Sequence, residues 1–163
     1  KYESEVDKND STYWLYFELI WRDFFKYVSM QHKDKFFSKD GIYGDNKEWS
    51  TDMEILSNWI NGKTNEPFVN ANMIELLETG FMSNRGRQNV ANYLTKELKI
   101  DWRIGAEYFE SMLIDYDVHS NYGNWLYNAG IGNDSMPFRK FNPKLQSERY
   151  DPNKLYEKTW LND

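Results

Sequence analysis

Residues 70–94 read NANMIELLETGFMSNRGRQNVANYL and contain the end of one predicted helix and the start of the next. Met73, Ile74 and Leu77 recur at helical spacing, and Gly80 follows them as a common signal for a helix C-terminus. Ser83 stands before the second apolar stretch, where serine is a favoured helix N-cap. The segment therefore predicts two consecutive helices joined by a short connection.

The first turn of the second helix is unusually polar. It contains five long or amide side chains within six positions, namely Asn84, Arg85, Arg87, Gln88 and Asn89. Together they offer more hydrogen-bonding capacity than the four free N–H groups of a helix terminus require. We therefore expect some of them to face an acidic partner or a ligand rather than water alone.

The rest of the chain repeats the helical pattern, and the fold class that we predict is all-α. We expect one domain over residues 1–163, built as a compact multi-helix bundle with helices at about 11–30, 52–61, 67–79, 83–98 and 101–113. The first helix is expected to be largely buried, with Asp10 or Ser11 as its N-cap. Residues 31–50 are expected to form a loop, with only a short helix around Trp125 before an irregular tail. An aromatic-rich first helix needs neighbours on several sides, so we expect the chain to belong to a larger fold.

Composition excludes several classes of protein. The 163 residues carry a formal net charge of -6, contain no cysteine and are 18% aromatic, with a mean hydropathy of -0.86. No apolar run approaches membrane-spanning length, so we expect a soluble, cytoplasmic protein, without disulfides. The acidic balance counts against attraction of nucleic acid by the whole surface. The only histidines, His32 and His119, show no ligand spacing, and we predict no metal site.

Asp115 and Asp117 are predicted to lie at the C-terminal end of a helix, where the helix dipole disfavours carboxylates. One interpretation is a solvated turn with aspartate capping. The other is that one aspartate pairs with Arg85 or Arg87 while its neighbour accepts a hydrogen bond from a ligand. Breaking such an ion pair would cost about 3–5 kcal/mol if the pair were buried.

Asn121, Gly123, Asn124 and Trp125 follow directly. Amides beside a glycine allow close approach of a planar heteroaromatic ligand, although a turn between helices explains the same residues equally well. Trp49, Trp102 and Trp125 share no local pattern, and each taken alone is best interpreted as a core residue. The chain contains neither a GxSxG motif nor a glycine-rich phosphate loop.

Five segments of the chain together resemble the C-terminal, helical FAD-binding domain of the DNA photolyase/cryptochrome family. They are ELIWRDFF (18–25), residues 70–94 quoted above, DWRIGAEYFE (101–110), LIDYDVHSNYGNWLYNAGIGND (113–134) and FNP (141–143). Gln88 and Tyr127 are similar to the cryptochrome-DASH branch of that family. The TSxLSP-like stretch that holds the FAD diphosphate in the family, and the N-terminal antenna domain, are not found in this sequence.

The resemblance implies non-covalent FAD binding. Asn84 and Arg87 would line the flavin, with Arg87 paired to Asp115. Asp117 would accept from the flavin N3–H, and Asn121 would face flavin N5. No antenna chromophore is expected on this chain.

The resemblance also implies a substrate, damaged DNA, and an electron-transfer path. Glu18 would hydrogen-bond a flipped pyrimidine dimer, and Trp21 would stack on it. The remaining positions implied on the DNA and dimer surface are Arg22, Arg85, Gln88, Tyr127 and Gln146. The resemblance further implies that Trp49, Trp102 and Trp125 carry an electron from the surface to the flavin.

The function implied by the resemblance is light-driven, FAD-dependent repair of cyclobutane pyrimidine dimers, in single-stranded or looped DNA, by a monomeric lyase. Glu18, Trp21 and Asn121 would be its catalytic residues. One alternative is a blue-light photoreceptor without repair activity, which would use the same tryptophans. Another is a helical fragment that does not bind FAD.

Overall fold

The computed structural model describes residues 2–6 and 9–161, and confirms the prediction of an all-α fold. Its α-helices are α1 (Tyr2–Glu5), α2 (Asp10–His32), α3 (Met53–Ile60), α4 (Pro67–Thr79), α5 (Asn84–Asn92), α6 (Trp102–Met112), α7 (Val118–Ala129), α8 (Pro143–Tyr150) and α9 (Leu155–Leu161). A 3₁₀-helix spans Lys33–Phe37, within the segment predicted as a loop, and a π-helical turn spans Tyr93–Glu97. A single parallel bridge, Ser50 to Ile100, is the only β-pairing in these described ranges.

Helix capping follows the sequence closely. The predicted N-caps Ser83 and Asp101 each accept a backbone hydrogen bond at the start of a helix, and Asp52, predicted as the first residue of a helix, is the N-cap of α3. The predicted cap of α2 at Asp10 or Ser11 is wrong, because Asn9 caps this helix. Asn9 Oδ1 accepts from Thr12 N at 3.1 Å and Thr12 Oγ1 accepts from Asn9 N at 3.2 Å, a reciprocal capping box that satisfies two free N–H groups.

The C-terminal part is more helical than predicted. The helix around Trp125 extends over the twelve residues of α7, and α8 and α9 replace the expected irregular tail. Asn142 Oδ1 accepts from Lys144 N and Leu145 N, and Pro143 occupies the first helical position, where its missing N–H costs nothing. The start signal for α8 was therefore present in the sequence.

The helix α7 lies at the centre of the core and packs on α2, α5 and α6. Two glycines allow its close approach to its neighbours. A Cβ at Gly105 of α6 would lie 2.3 Å from Trp125 Cη2, and a Cβ at Gly123 would lie 2.2 Å from Phe25 Cδ1 of α2. Any larger side chain at these two positions would separate the helices.

The prediction that α2 is largely buried is wrong for the part of the helix up to Phe24. Phe25, Val28 and Ser29 are buried against α7 and the 3₁₀-helix. Toward the N-terminus the helix passes beyond these neighbours, and its large side chains Tyr13, Trp14, Leu15, Tyr16, Leu19, Ile20 and Phe24 are exposed. The apolar spacing is present, but the described residues supply nothing to cover it.

None of the helices within the described ranges is both long enough and apolar enough to span a membrane.

Candidate functional site

A cavity of about 330 Å³, the first cavity, lies between α5, the connection from α6 to α7, and α7 itself. Phe81, Met82, Ala91, Phe109 and Leu113 supply apolar side chains to its wall. Many of the residues predicted from sequence also line it, namely Glu18, Asn84, Arg87, Gln88, Asp115, Asp117, Asn121 and Trp125. The structure thus brings residues from distant parts of the chain to one cavity.

A second cavity of about 150 Å³ adjoins the first. The two cavities share Glu18, Asn84, Gln88 and Asn124, and the second adds Trp21, Phe25 and Tyr127. The rings of Trp21 and Tyr127 meet edge to face at 6.4 Å, and Trp21 also packs on Phe25 at 5.5 Å. The second cavity therefore offers aromatic surface beside amide and carboxylate groups.

Arg87 and Asp115 form the expected ion pair, although its surroundings differ from the expectation. One guanidinium nitrogen, Nη2, lies 2.9 Å from both carboxylate oxygens, while Nε donates to Met82 O at 2.8 Å. The pair is not buried, because 27% of the Arg87 side chain and 51% of the Asp115 side chain are exposed. The cost of about 3–5 kcal/mol for a buried pair does not apply, and an exposed pair contributes about 0.2–1 kcal/mol.

Asp117 does not lie at a helix C-terminus as predicted, because α6 ends at Met112 and Asp117 is the N-cap of α7. Its Oδ1 accepts from Ser120 N at 2.8 Å, in the position where the helix dipole favours a carboxylate. Burial raises the pKa of Asp117, but hydrogen bonds from Ser120 and the charges of His119 and Arg22 outweigh burial, and the net pKa is lowered. Asp117 is consequently an ionised acceptor on the cavity wall.

Asn121 is buried in α7 and fixed in orientation. Its Nδ2 donates to Ala106 O at 2.9 Å. Its side-chain oxygen accepts no hydrogen bond among the described residues, and the residue lines the first cavity. Asn121 therefore presents an acceptor to whatever occupies that cavity.

The polar first turn of α5 is divided between the two sides of the helix. Arg85 donates to Gln88 Oε1 at 2.8 Å and stacks on Tyr150 at 4.8 Å. Asn89 Nδ2 reaches Gln146 Oε1 at 3.4 Å, which places Gln146 on the same surface as Arg85. Gly86 faces the core, where a Cβ would lie 2.1 Å from Asn72 Oδ1.

Basic residues that are scattered in sequence gather near the second cavity. Arg139 Nη2 donates to the hydroxyl of Tyr127 at 2.9 Å, and Arg149 lies over the same Tyr150 ring as Arg85, at 5.4 Å. Sequence reasoning did not assign Arg139 to the site, because no local signal connects it to Tyr127. Arg22 lines neither cavity and lies 3.6 Å from Asp23.

The three predicted electron-transfer tryptophans occupy different depths. Trp125 lines the first cavity, Trp102 is fully buried with its Nε1 donating to Lys39 O at 3.2 Å, and Trp49 is partly exposed. Trp125 and Trp102 make ring contacts with other aromatics, whereas Lys47 Nζ lies over the ring of Trp49 at 5.9 Å. Trp125 packs on Phe109 at 5.1 Å, and Trp102 packs on Tyr122 at 5.9 Å. Trp125 thus lies at the cavity and Trp49 is partly exposed, while an electron-transfer path through the three tryptophans stays a prediction.

Comparison with known proteins defines the family. The family model described as the FAD binding domain of DNA photolyase matches residues 14–163, and the chain belongs to this family. Cryptochrome DASH of Danio rerio is 55% identical over 161 residues, covering 99% of this chain and 31% of the relative. Cryptochrome DASH of Synechocystis is 56% identical over 161 residues, covering 99% and 33%. The chain thus spans about a third of the length of these relatives.

Solved structures agree with this assignment. The crystal structure of a Synechocystis cryptochrome superposes with a TM-score of 0.95 at 56% identity, over 99% of this chain and 33% of that one. A bacterial class III photolyase from Agrobacterium tumefaciens superposes with a TM-score of 0.90 at 35% identity, over 99% of this chain and 34% of that one.

The residues of the first cavity fit one end of an FAD molecule. Ligand sites for molecules of drug size measure about 300–1,000 Å³ and combine apolar walls with a few convergent polar groups. At about 330 Å³ the first cavity has room for a flavin ring system but not for a whole dinucleotide. Asp117 and Asn121 provide acceptors for ring N–H groups, and Phe109 and Leu113 provide apolar walls. These acceptors and apolar walls therefore agree with a flavin ring.

Proposed function

We propose that this chain is the helical part of a flavin-dependent DNA lyase that repairs cyclobutane pyrimidine dimers in light. The observation that carries this proposal is the adjacency of the two cavities, which share Glu18 and Gln88. One cavity has the polar groups that suit a flavin ring, and the other has the aromatic surface that suits a base. Residues 1–163 would then form part of a helical FAD-binding domain.

The chain's own residues would hold the flavin ring in the first cavity. Asp117, kept ionised by its hydrogen bonds from Ser120, would accept from a ring N–H, and the carbonyl of Asn121 would accept from a second one. Asn84 would line the ring, and the pair of Arg87 with Asp115 would hold α5 beside the α6–α7 connection. When bound, FAD would supply light absorption and the electron that cleaves the dimer.

The second cavity would receive the dimer. A dimer in DNA must leave the base stack to reach a buried cofactor, at a cost of a few kcal/mol that damage reduces. Trp21 would stack on the flipped bases, Glu18 would hydrogen-bond them, and Gln88 and Tyr127 would line the cavity. Arg85 and Gln146 would contact the DNA backbone, with Arg22 farther along α2.

The local charge supports DNA binding better than the net charge of -6 does. Arg85 and Arg139 contact the second-cavity residues Gln88 and Tyr127, and Arg149 lies over the same Tyr150 ring as Arg85. Phosphate contacts of this kind supply most of the affinity of a DNA-binding protein and make binding depend on salt. We propose damaged DNA as the partner, a monomeric state, and no antenna chromophore on this chain.

A repair assay tests the proposal. The FAD-reconstituted protein is illuminated with a single-stranded oligonucleotide carrying one cyclobutane dimer, with a duplex substrate and a dark sample for comparison. Stacking on an aromatic side chain contributes about 1–3 kcal/mol per base, so Trp21→Ala should weaken substrate binding by about 10-fold or more. Trp14→Ala is the matched control, because Trp14 is on the same helix, 55% exposed and outside both cavities. Wild-type repair equal to the dark sample would overturn the proposal.

The second candidate is a blue-light photoreceptor that binds FAD without repairing DNA. It is favoured by the names of the relatives, which are called cryptochromes. It is also favoured by the positions of three tryptophans, because Trp125 lines the first cavity, Trp102 is buried and Trp49 is partly exposed. This candidate predicts light-induced spectral changes in the FAD-bound chain that disappear in Trp102→Phe, with no loss of dimers from the substrate. The first candidate predicts loss of dimers.

A further inference from the structure

A third cavity, of about 340 Å³, lies on the side of Trp49 and is separate from the two cavities described above. Its lining includes four lysines, two aromatic rings and a single carboxylate, namely Lys47, Lys96, Lys99, Lys140, Trp49, Phe138 and Glu48, together with Thr95 and Ala129. None of these residues lines the first or the second cavity. Its volume is similar to that of the candidate flavin cavity.

Two of the lysines have their ammonium groups directed to one point. Lys47 Nζ donates to Ala129 O at 2.7 Å and Gly130 O at 3.1 Å, and Lys96 Nζ donates to the same Ala129 O at 2.8 Å and to Pro137 O at 2.6 Å. The two ammonium groups also interact with one another, so two like charges meet at this wall of the cavity. Burial, followed by the charge of Lys47, lowers the pKa of Lys96 to about 8. A negative ligand would relieve this repulsion.

The aromatic walls come from Phe138 and from Trp49, whose ring centroid lies 5.9 Å from Lys47 Nζ. The Nε1–H of Trp49 is buried without a hydrogen-bond acceptor among the residues that the structure describes, and such unsatisfied donors are rare in folded proteins. The ring of Phe138 is 91% exposed at the rim. The cavity thus combines lysine side chains with an exposed aromatic ring at its rim.

Backbone pairing fixes Lys99 beside Trp49. Ser50 N donates to Lys99 O at 2.7 Å and Asp101 N donates to Ser50 O at 3.1 Å. Lys99 has a φ of 54°, a left-handed conformation that is uncommon for residues other than glycine. Strained residues of this kind persist where the surrounding structure fixes them, and they concentrate at functional sites.

We propose that the third cavity is a binding site for a small planar organic anion of nucleotide size. The lysine ammoniums would bind the anionic group, and Phe138 would stack on the ring. Lys140 is partly committed, because its Nζ lies 2.6 Å from Glu97 Oε1, so Lys47, Lys96 and Lys99 provide most of the positive charge.

The test uses adenosine monophosphate as the probe, with adenosine and inorganic phosphate as its two halves, in titration calorimetry of the chain at low salt. The proposal predicts saturable binding of adenosine monophosphate at least 10-fold tighter than that of either half. Equal binding of phosphate and adenosine monophosphate would overturn the role of the ring. Equal binding of adenosine and adenosine monophosphate would overturn the role of the lysines.

Variants then locate the site. Lys99→Gln and Phe138→Ala should each weaken binding of adenosine monophosphate by about 5-fold or more, because neither side chain takes part in the lysine contacts that hold Ala129 O. The matched controls Lys63→Gln and Met136→Ala replace exposed residues outside the cavity and should leave binding unchanged. Binding that is unchanged in both site variants would overturn the proposal, and circular dichroism verifies that every variant is folded.

Discussion

The first part of α2, residues 10–24, and α7 contain similar aromatic side chains, yet only α7 is part of the core. Trp125 of α7 is 2% exposed, whereas Trp14 of α2 is 55% exposed. The sequence predicted a largely buried helix for α2 but only a short helix around Trp125 for α7, so the expectation was reversed for the two segments. The difference lies in the neighbours, because α7 packs on three helices while α2 meets α7 only toward its C-terminal end.

The comparison shows what a periodic pattern can and cannot specify. Spacing determines which face of a helix is apolar, and burial then depends on distant segments that meet that face. On α7 those segments are present within the described residues. Four measurements, given from the largest expected effect to the smallest, test this account.

The largest effect is expected from paired tryptophan substitutions. Trp125→Ala should lower the free energy of unfolding by about 3–5 kcal/mol, because it removes a buried indole and leaves a cavity. Trp14→Ala should change it by no more than about 0.5 kcal/mol. Urea unfolding followed by circular dichroism measures both. A similar cost for the two would mean that a partner covers α2 in solution.

The contact between the two helices is tested at Gly123. In Gly123→Ala the new methyl group would meet Phe25 at 2.2 Å, and overpacking of this kind costs about 1–3 kcal/mol. This exceeds the gain of about 0.5–1 kcal/mol from replacing glycine inside a helix. A double-mutant cycle with Phe25→Ala should show a favourable coupling. If Gly123→Ala stabilised the protein, the packing of α2 on α7 would be wrong.

The next largest effect on stability is expected at Asp117, the N-cap of α7. Asp117→Ala should cost about 1 kcal/mol through loss of the N-cap, whereas Asp117→Ser keeps a capping oxygen and should cost little. Because the folded pKa of Asp117 is lowered, its contribution is present above the unfolded value of about 3.9 and is lost as pH falls through the folded pKa. Unfolding measured across acidic pH should show a weaker dependence for Asp117→Ser than for wild type.

The smallest effect is expected at the exposed ion pair. A double-mutant cycle on Arg87→Ala and Asp115→Ala should give a coupling of about 0.2–1 kcal/mol that decreases with salt. The pair joins α5 to the connection before α7. Because it is exposed, its contribution to the free energy of unfolding should be much smaller than that of the buried Trp125. A coupling above 3 kcal/mol would indicate a buried pair.

Local signals predicted much of the fold. Gly80, Ser83 and Asp101 ended or began helices where expected, because capping depends on neighbours within four residues. The cap of α2 was placed one or two residues late, at Asp10 or Ser11 instead of Asn9, and α8 and α9 were missed. The exposure of α2 could not be predicted, since burial depends on contacts between segments that are far apart in sequence.

The candidate site, like the fold, was predicted only in part from the sequence. Arg87 was paired with Asp115 correctly from residue type and the resemblance, but the exposure of the pair was not foreseen. Asp117 was assigned to the wrong helix end, because the sequence does not show that α6 stops at Met112. The contact of Arg139 with Tyr127 spans twelve residues and a turn, and no spacing rule predicts it.

Flavin binding by the chain tests the central claim most directly. The chain is titrated into FAD and into riboflavin, which carries the ring system without the diphosphate, and quenching of flavin fluorescence is recorded. The account predicts saturable binding of both, with riboflavin binding weakened about 10-fold or more in Asn121→Leu, which removes the acceptor at Asn121, and unchanged in Trp14→Ala. A folded chain that binds neither FAD nor riboflavin would contradict the assignment of the first cavity to the flavin ring.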